Sequence, residues 1–114
     1  MSEQKFGLKE SAITAINGVF AACPELERVI LYGSRAMGKQ RNGSDIDLTI
    51  VGDGVTHVQL LRMANQLDDL LLPYKIDLSL LRQIENPDLL DHIRRVGVVF
   101  FERDSERSSG NQNN

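Results

Sequence analysis

The chain has no tryptophan, a single cysteine, three prolines and only 5% aromatic residues. One cysteine, Cys23, excludes an internal disulfide and fits a reducing, cytoplasmic setting. Thirteen lysines and arginines against sixteen acidic residues give a net charge of −3, so no general basic field exists to attract nucleic acid. The few aromatics also argue against a base-stacking platform. No apolar run approaches the roughly 20 residues of a membrane span, and the opening MSEQKFGLKE lacks the apolar centre of a signal peptide. What remains is an ordinary globular composition, 41% hydrophobic over 114 residues, which implies one domain. A domain of that size buries about two-thirds of its unfolded surface. It has room for one core but little for a separate substrate domain.

The apolar residues are periodic. Ala12, Ile13, Ile16, Phe20 and Cys23 form one stripe, which predicts a helix from Leu8 to Cys23, stopped by Pro24. Arg28–Tyr32 reads as a buried strand running into a tight turn at Gly33. Ala36–Gln40 is expected to make one short helical turn, and Asn42-Gly43 a loop. From Asp45 to Val51 the pattern alternates, as in a half-buried strand. Val55–Leu72 predicts a second long helix with Leu60, Met63, Ala64, Leu67, Leu70 and Leu71 inward, closed by Pro73. Lys75–Leu78 and Val98–Phe101 are two more strands. Between them Asn86 is a helix N-cap, Pro87 the first helical residue, and Gly97 the end, with Arg94 and Arg95 in the last turn. This order predicts an α/β fold, a small mixed four-stranded sheet flanked by helices. The loop between the first two strands is too short for a crossover helix, so they should be antiparallel neighbours. The domain is expected to span 1–103, followed by a polar, unstructured tail over 104–114.

The chemistry-bearing residues sit at the ends of these strands. Gly33 lets the backbone approach a ligand closely, and successive amides around Gly33, Ser34 and Arg35 can cradle an anion. Ser34 adds a hydroxyl and Arg35 a fixed positive charge. Asp45 and Asp47, two apart on a strand, should face the same side about 6.6 Å apart at the backbone, with Ile46 turned into the core. Two neighbouring like charges need a cation or bound protons. Mg²⁺ suits them, because it takes oxygen ligands and shares its shell between one or two carboxylates and substrate phosphates. Asp77, between Ile76 and Leu78 on a later strand, can complete a three-carboxylate cluster. Two metal ions held there could clamp the attacking and leaving oxygens of an in-line displacement, and Asp77 would lie on the acceptor side and take its proton. Each part alone has an ordinary reading as a turn or a solvated face. Their conjunction points to nucleotide–metal chemistry.

The stretch Gly33-Ser34-Arg35-Ala36-x-Gly38-x-x-Arg41-x-x-Ser44-Asp45-Ile46-Asp47-Leu48 resembles the minimal nucleotidyltransferase (MNT) family of the DNA polymerase β-like superfamily, and the predicted element order agrees from about Leu8 to Glu102. The resemblance implies transfer of a nucleoside monophosphate from a triphosphate such as ATP, with Mg²⁺, and release of pyrophosphate. It puts Gly33 and Ser34 on the triphosphate, Asp45 and Asp47 on metal, and Asp77 as third catalytic and metal-binding carboxylate. Arg35, Arg41 and Ser44 are expected at the nucleotide. Met37 is a departure, since similar proteins often carry arginine there. The resemblance also implies a small helical HEPN-type partner encoded by a neighbouring gene, towards which MNT proteins act as antitoxins, some by adenylylating a tyrosine. A homo- or hetero-oligomer is compatible with so short a chain.

Other polar or reactive residues read as framework. His57 and His92 lack a further ligand at metal-binding spacing and are assigned to the surface. Cys23, Met37, Met63 and Tyr32 are assigned to packing, and the charged residues after Phe101 to an exit into the tail. Two other functions compete with the transferase: a binding module that neutralises its partner by contact alone, and a modifier of RNA ends, which the acidic composition disfavours.

Overall fold

Every second residue of the central strands is apolar, and that alternation builds the molecule. The computed structural model describes residues 4–103; the expected tail over 104–114 lies outside them. Strand β3 (Arg28–Tyr32) pairs antiparallel with β4 (Ile46–Val51), as the short connection requires. Strand β5 (Ile76–Leu80) runs parallel to β4, and β6 (Val98–Glu102) antiparallel to β3. The sheet order is β5-β4-β3-β6, a mixed four-stranded sheet. Val29, Leu31, Ile46, Leu48, Ile50 and Leu80 are all buried. They join Ile16 and Phe20 of helix α1 (Glu10–Ala21) and Leu60, Met63 and Leu67 of helix α2 (His57–Asp68) in one core.

Outside the central sheet the structure departs from expectation at several places. Leu8 and Lys9 are not helical. They form β2, paired with β1 (Gln4–Lys5) across a turn in which Phe6 and Gly7 have φ of 60° and 75°. Positive φ at both central residues matches the twist of a two-residue hairpin, but a phenylalanine rarely adopts it, so no turn signal showed. Helix α2 is shorter than expected at both ends. Thr56 accepts from Gln59 N and receives its side chain back, a reciprocal cap that starts the helix at His57. Past Asp68 the chain leaves the helix, Leu71 takes φ 56°, and its side chain is 87% exposed rather than inward. Ala36–Gln40 is a run of tight turns, not a helix: Ala36 N bonds Gly33 O, Met37 N bonds Ser34 O and Gly38 N bonds Arg35 O. Arg103, read as part of a charged exit, is fixed in place and donates to Phe20, Ala21, Cys23 and Leu26 carbonyls at the end of α1.

Helix α3 (Pro87–Val96) begins as expected, with Asn86 Oδ1 accepting from Asp88 and Leu89 amides. It lies over β3, on the face that carries Tyr32 and Ile30. Ile93 is buried, and a Cβ on Gly97 would collide with Ile30 and with the Ile93 carbonyl. The close packing sets the height of α3 above the sheet. Asn86→Ala should lower stability by about 1 kcal/mol through loss of the cap, measured as a shift in the urea midpoint at unchanged slope.

Candidate active site

Register brings the carboxylates together. Tyr32 pairs with Asp47 across β3–β4, and Asp47 pairs with Asp77 across β4–β5. Paired residues project to the same side of a sheet, so Tyr32, Asp47 and Asp77 form one row on the face opposite the main core. Asp47 is half-buried and Asp77 is exposed. Burial, then the charges of Asp77 and Asp45, push the Asp47 carboxyl above the ordinary aspartate range. Tyr32 is raised as well, by burial first and then by Asp47 and Asp77, against a hydrogen bond with Ser79. Behind the row, Ser79 Oγ donates to Thr49 Oγ1 at 3.0 Å.

Asp45 sits differently from expectation. Strand β4 starts at Ile46, so Asp45 is an exposed loop residue and the pleat does not force it onto the Asp47 face. Among the described residues no three His, Cys, Asp or Glu side chains are grouped to hold one ion. The row itself offers two hard oxygen donors, Asp47 and Asp77, which is the donor set Mg²⁺ uses when phosphates and water complete its shell. Asp45 is near enough for its charge to be felt at Asp47.

The turn after β3 faces this row. Gly33 has φ 80°, and a Cβ there would collide with Asp47 Oδ2, so only glycine lets the chain pass. Gly33 O accepts from Ala36 N and Met37 N, and Ser34 O from Met37 N and Lys39 N. The amides of Ser34 and Arg35 make no hydrogen bond among the described residues. The amide of Gly33 does: it donates to His92 Nε2 on α3 at 3.1 Å. The His92 ring also meets Tyr32 edge-on, with centroids 6.2 Å apart. His92 is therefore part of the site. The sequence hid it, because its partner is a backbone amide 59 positions away rather than a second ligand at short spacing.

Arg35 is 3% exposed, and its guanidinium is occupied by the chain. It donates to Phe6 O at 2.9 Å and to Ser44 O at 2.8 and 3.2 Å, and it stacks on the Tyr74 ring at 4.9 Å. It ties the β1–β2 turn, the loop before Asp45 and the approach to β5 to one point. Ser44 is engaged too, its hydroxyl accepting from Arg41 N at 2.8 Å. The Arg41 side chain, expected at the nucleotide, is exposed. Asp77, on the edge strand β5, is the exposed end of the row. Shallow grooves lie beside α3, about 650 Å³ lined by Ile30, Leu90, Ile93 and Val99, and where α1 meets α2, about 270 Å³.

Residues 14–106 match the model of the family described as Polymerase beta, Nucleotidyltransferase. No curated protein is matched by sequence. Among solved structures, the chain is similar to one described as a minimal nucleotidyltransferase candidate, 26% identical, covering 86% of this chain and 98% of that one at a TM-score of 0.62. It is similar in fold to a toxin–antitoxin structure with AMP-PNP, at 22% identity, 82% and 76% coverage and a TM-score of 0.64. A third is tri-AMPylated Shewanella oneidensis HEPN toxin in complex with MNT antitoxin, at 18% identity, 87% and 76% coverage and a TM-score of 0.60.

Two measurements follow. Arg35→Ala should cost about 3 kcal/mol, because it removes a buried guanidinium and leaves the part-buried Phe6 and Ser44 carbonyls without their charged donor; equilibrium denaturation reads it. The raised Asp47 carboxyl means that the folded chain holds this proton more tightly than the unfolded chain. Stability from this group therefore rises as pH falls from its elevated value through the ordinary aspartate value, and is absent at neutral pH. Asp47→Asn should abolish that acid-side gain and raise the metal-free melting temperature at pH 7.

Proposed function

This chain belongs to the Polymerase beta nucleotidyltransferase family, and on that premise we propose that it transfers AMP from ATP, with Mg²⁺, to a hydroxyl of a protein acceptor in the cytoplasm. The acceptor in this reading is a small helical HEPN-type protein, and the pair works as toxin and antitoxin. The observation that carries the proposal is the row of Asp47 and Asp77 in register, closed on one side by the Gly33 turn.

The free amides of Ser34 and Arg35, the Ser34 hydroxyl and exposed Arg41 are the groups that would receive the triphosphate. Asp47 and Asp77, with Asp45 alongside, would hold the metal, which neutralises the phosphate charge and stabilises the displaced pyrophosphate when bound. The acceptor oxygen bonds the α-phosphorus as the bond to the β-phosphate oxygen breaks. Pyrophosphate leaves, and the acceptor proton passes to the Asp77 carboxylate, the more exposed of the pair. Asp77 is exposed on the edge strand β5, which gives a folded acceptor access to it. Similarity to structures named for AMP-PNP and for an AMPylated HEPN toxin supports the same assignment.

A second reading draws on Arg35, whose guanidinium is taken up by chain carbonyls rather than left for phosphate: the domain could neutralise a partner by contact, with or without bound nucleotide. Purification with the product of the neighbouring reading frame separates the two. Under the transferase reading, Mg²⁺ and ATP add the mass of one or more nucleoside monophosphates to the partner. Asp47→Asn should cut that incorporation by at least about a hundredfold, and Asp45→Asn should reduce it strongly. Unmodified partner, alongside a folded chain that binds ATP and still protects against the toxin, would favour contact alone. Protection lost in Asp77→Asn with the complex intact would reject contact alone.

A further inference from the structure

We propose that His92 is a positioning residue of the nucleotide site: through its acceptor nitrogen it holds the Gly33 amide, and so aims the free amides of Ser34 and Arg35 at the phosphates. The inference rests on the transferase reading above and adds a residue from an element outside the family motif, α3.

A backbone amide can only donate. The 3.1 Å contact from Gly33 N to His92 Nε2 therefore requires an unprotonated Nε2 and a neutral ring with its proton on Nδ1. Gly33 is the residue that most needs such a hold. Its φ of 80° is open to many alternatives in a glycine, and Asp47 Oδ2 stands where any Cβ would go, so no side chain can fix the turn instead. A peptide that is free to rotate there would swing the next two amides with it. His92 comes from a well-fixed helix. Its neighbour Ile93 is buried, Asn86 caps the helix start, and Gly97 seats the helix end on Ile30. The ring is held a second time by the edge of Tyr32, the first member of the carboxylate row. One side chain thus links α3, the turn and the row.

The bond has a second meaning that the test must separate. If the phosphates need the Gly33 amide themselves, His92 competes with them rather than preparing their site. The two roles predict opposite signs for the same variant. Removing a positioning group weakens nucleotide binding, whereas removing a competitor tightens it.

The experiment uses the full chain as wild type, His92→Ala and His92→Gln, since a glutamine can still present an oxygen acceptor. Nitrogen NMR of the wild-type imidazole should show the proton on Nδ1, and exchange of the Gly33 amide should be slow. It should quicken in His92→Ala and recover in His92→Gln. Titration with Mg²⁺ and AMP-PNP should show affinity falling about tenfold in His92→Ala and largely restored in His92→Gln. Melting of the nucleotide-free protein should fall modestly in His92→Ala, as the Gly33 amide loses its acceptor, and recover in His92→Gln, with both variants fully folded at the titration temperature so that the affinity loss is not one of unfolding. A proton on Nε2, or Gly33 exchange unchanged in His92→Ala, overturns the hold. Equal or tighter AMP-PNP binding by His92→Ala overturns the positioning role. Wild-type protein that fails to bind AMP-PNP defeats the transferase reading and with it the nucleotide role of His92, while the exchange data alone would still decide whether the hold exists.

Discussion

A half-buried carboxylate, Asp47, lies between a turn that only glycine can make and a second carboxylate in register, and most of the site is arranged around it. Strand alternation sends Ile46 and Leu48 into the core and leaves Asp47 on the other face. Parallel pairing with β5 then sets Asp77 beside it. The neighbouring β3 is followed by the one residue type that can pass Asp47 Oδ2 without a collision. None of this helps the fold in the absence of a counter-charge, since burial and like charges both raise the cost of ionising Asp47. A cation carrying phosphates is the partner that would relieve it.

Two arginines show how easily charge in a sequence is misassigned. Arg35 lies in the middle of the motif, yet its donors point at chain carbonyls, and Arg103 closes the end of α1. Arg35 buries its guanidinium and Arg103 half-buries its own, each satisfied by backbone oxygens, the condition under which such burial is tolerated. Their role is to hold segments that the short elements cannot hold alone: Arg35 fastens the β1–β2 turn and the loop that delivers Asp45, and Arg103 joins the last strand to the first helix. For a chain of 114 residues, such ties replace the larger core that a longer domain would have.

What was legible in the sequence was what periodicity and local chemistry determine. The runs Arg28–Tyr32 and Val98–Phe101 are strands because they are short, apolar and bounded, and Asn86-Pro87 starts a helix through its own cap. The antiparallel β3–β4 pair followed from loop length, and the placing of Asp77 on a strand from its apolar neighbours, but not the parallel β4–β5 register that sets it beside Asp47. What was not legible depends on contacts between distant segments. The β1–β2 hairpin has no glycine-asparagine signal, Leu71 turns outward because the chain leaves the helix before it, and Asp45 falls just outside the strand whose pleat was expected to orient it. His92 was set aside on spacing to other side chains, a criterion blind to a backbone partner.

The central claim is that Asp47 carries a strained charge which a nucleotide-binding cation relieves, and carboxyl-carbon NMR of the aspartates measures it directly. Across a pH titration, Asp47 should lose its proton later than an ordinary aspartate, and Mg²⁺ should bring its titration back down. An Asp47 carboxyl that titrates like a free aspartate, and does not respond to Mg²⁺, would contradict the account.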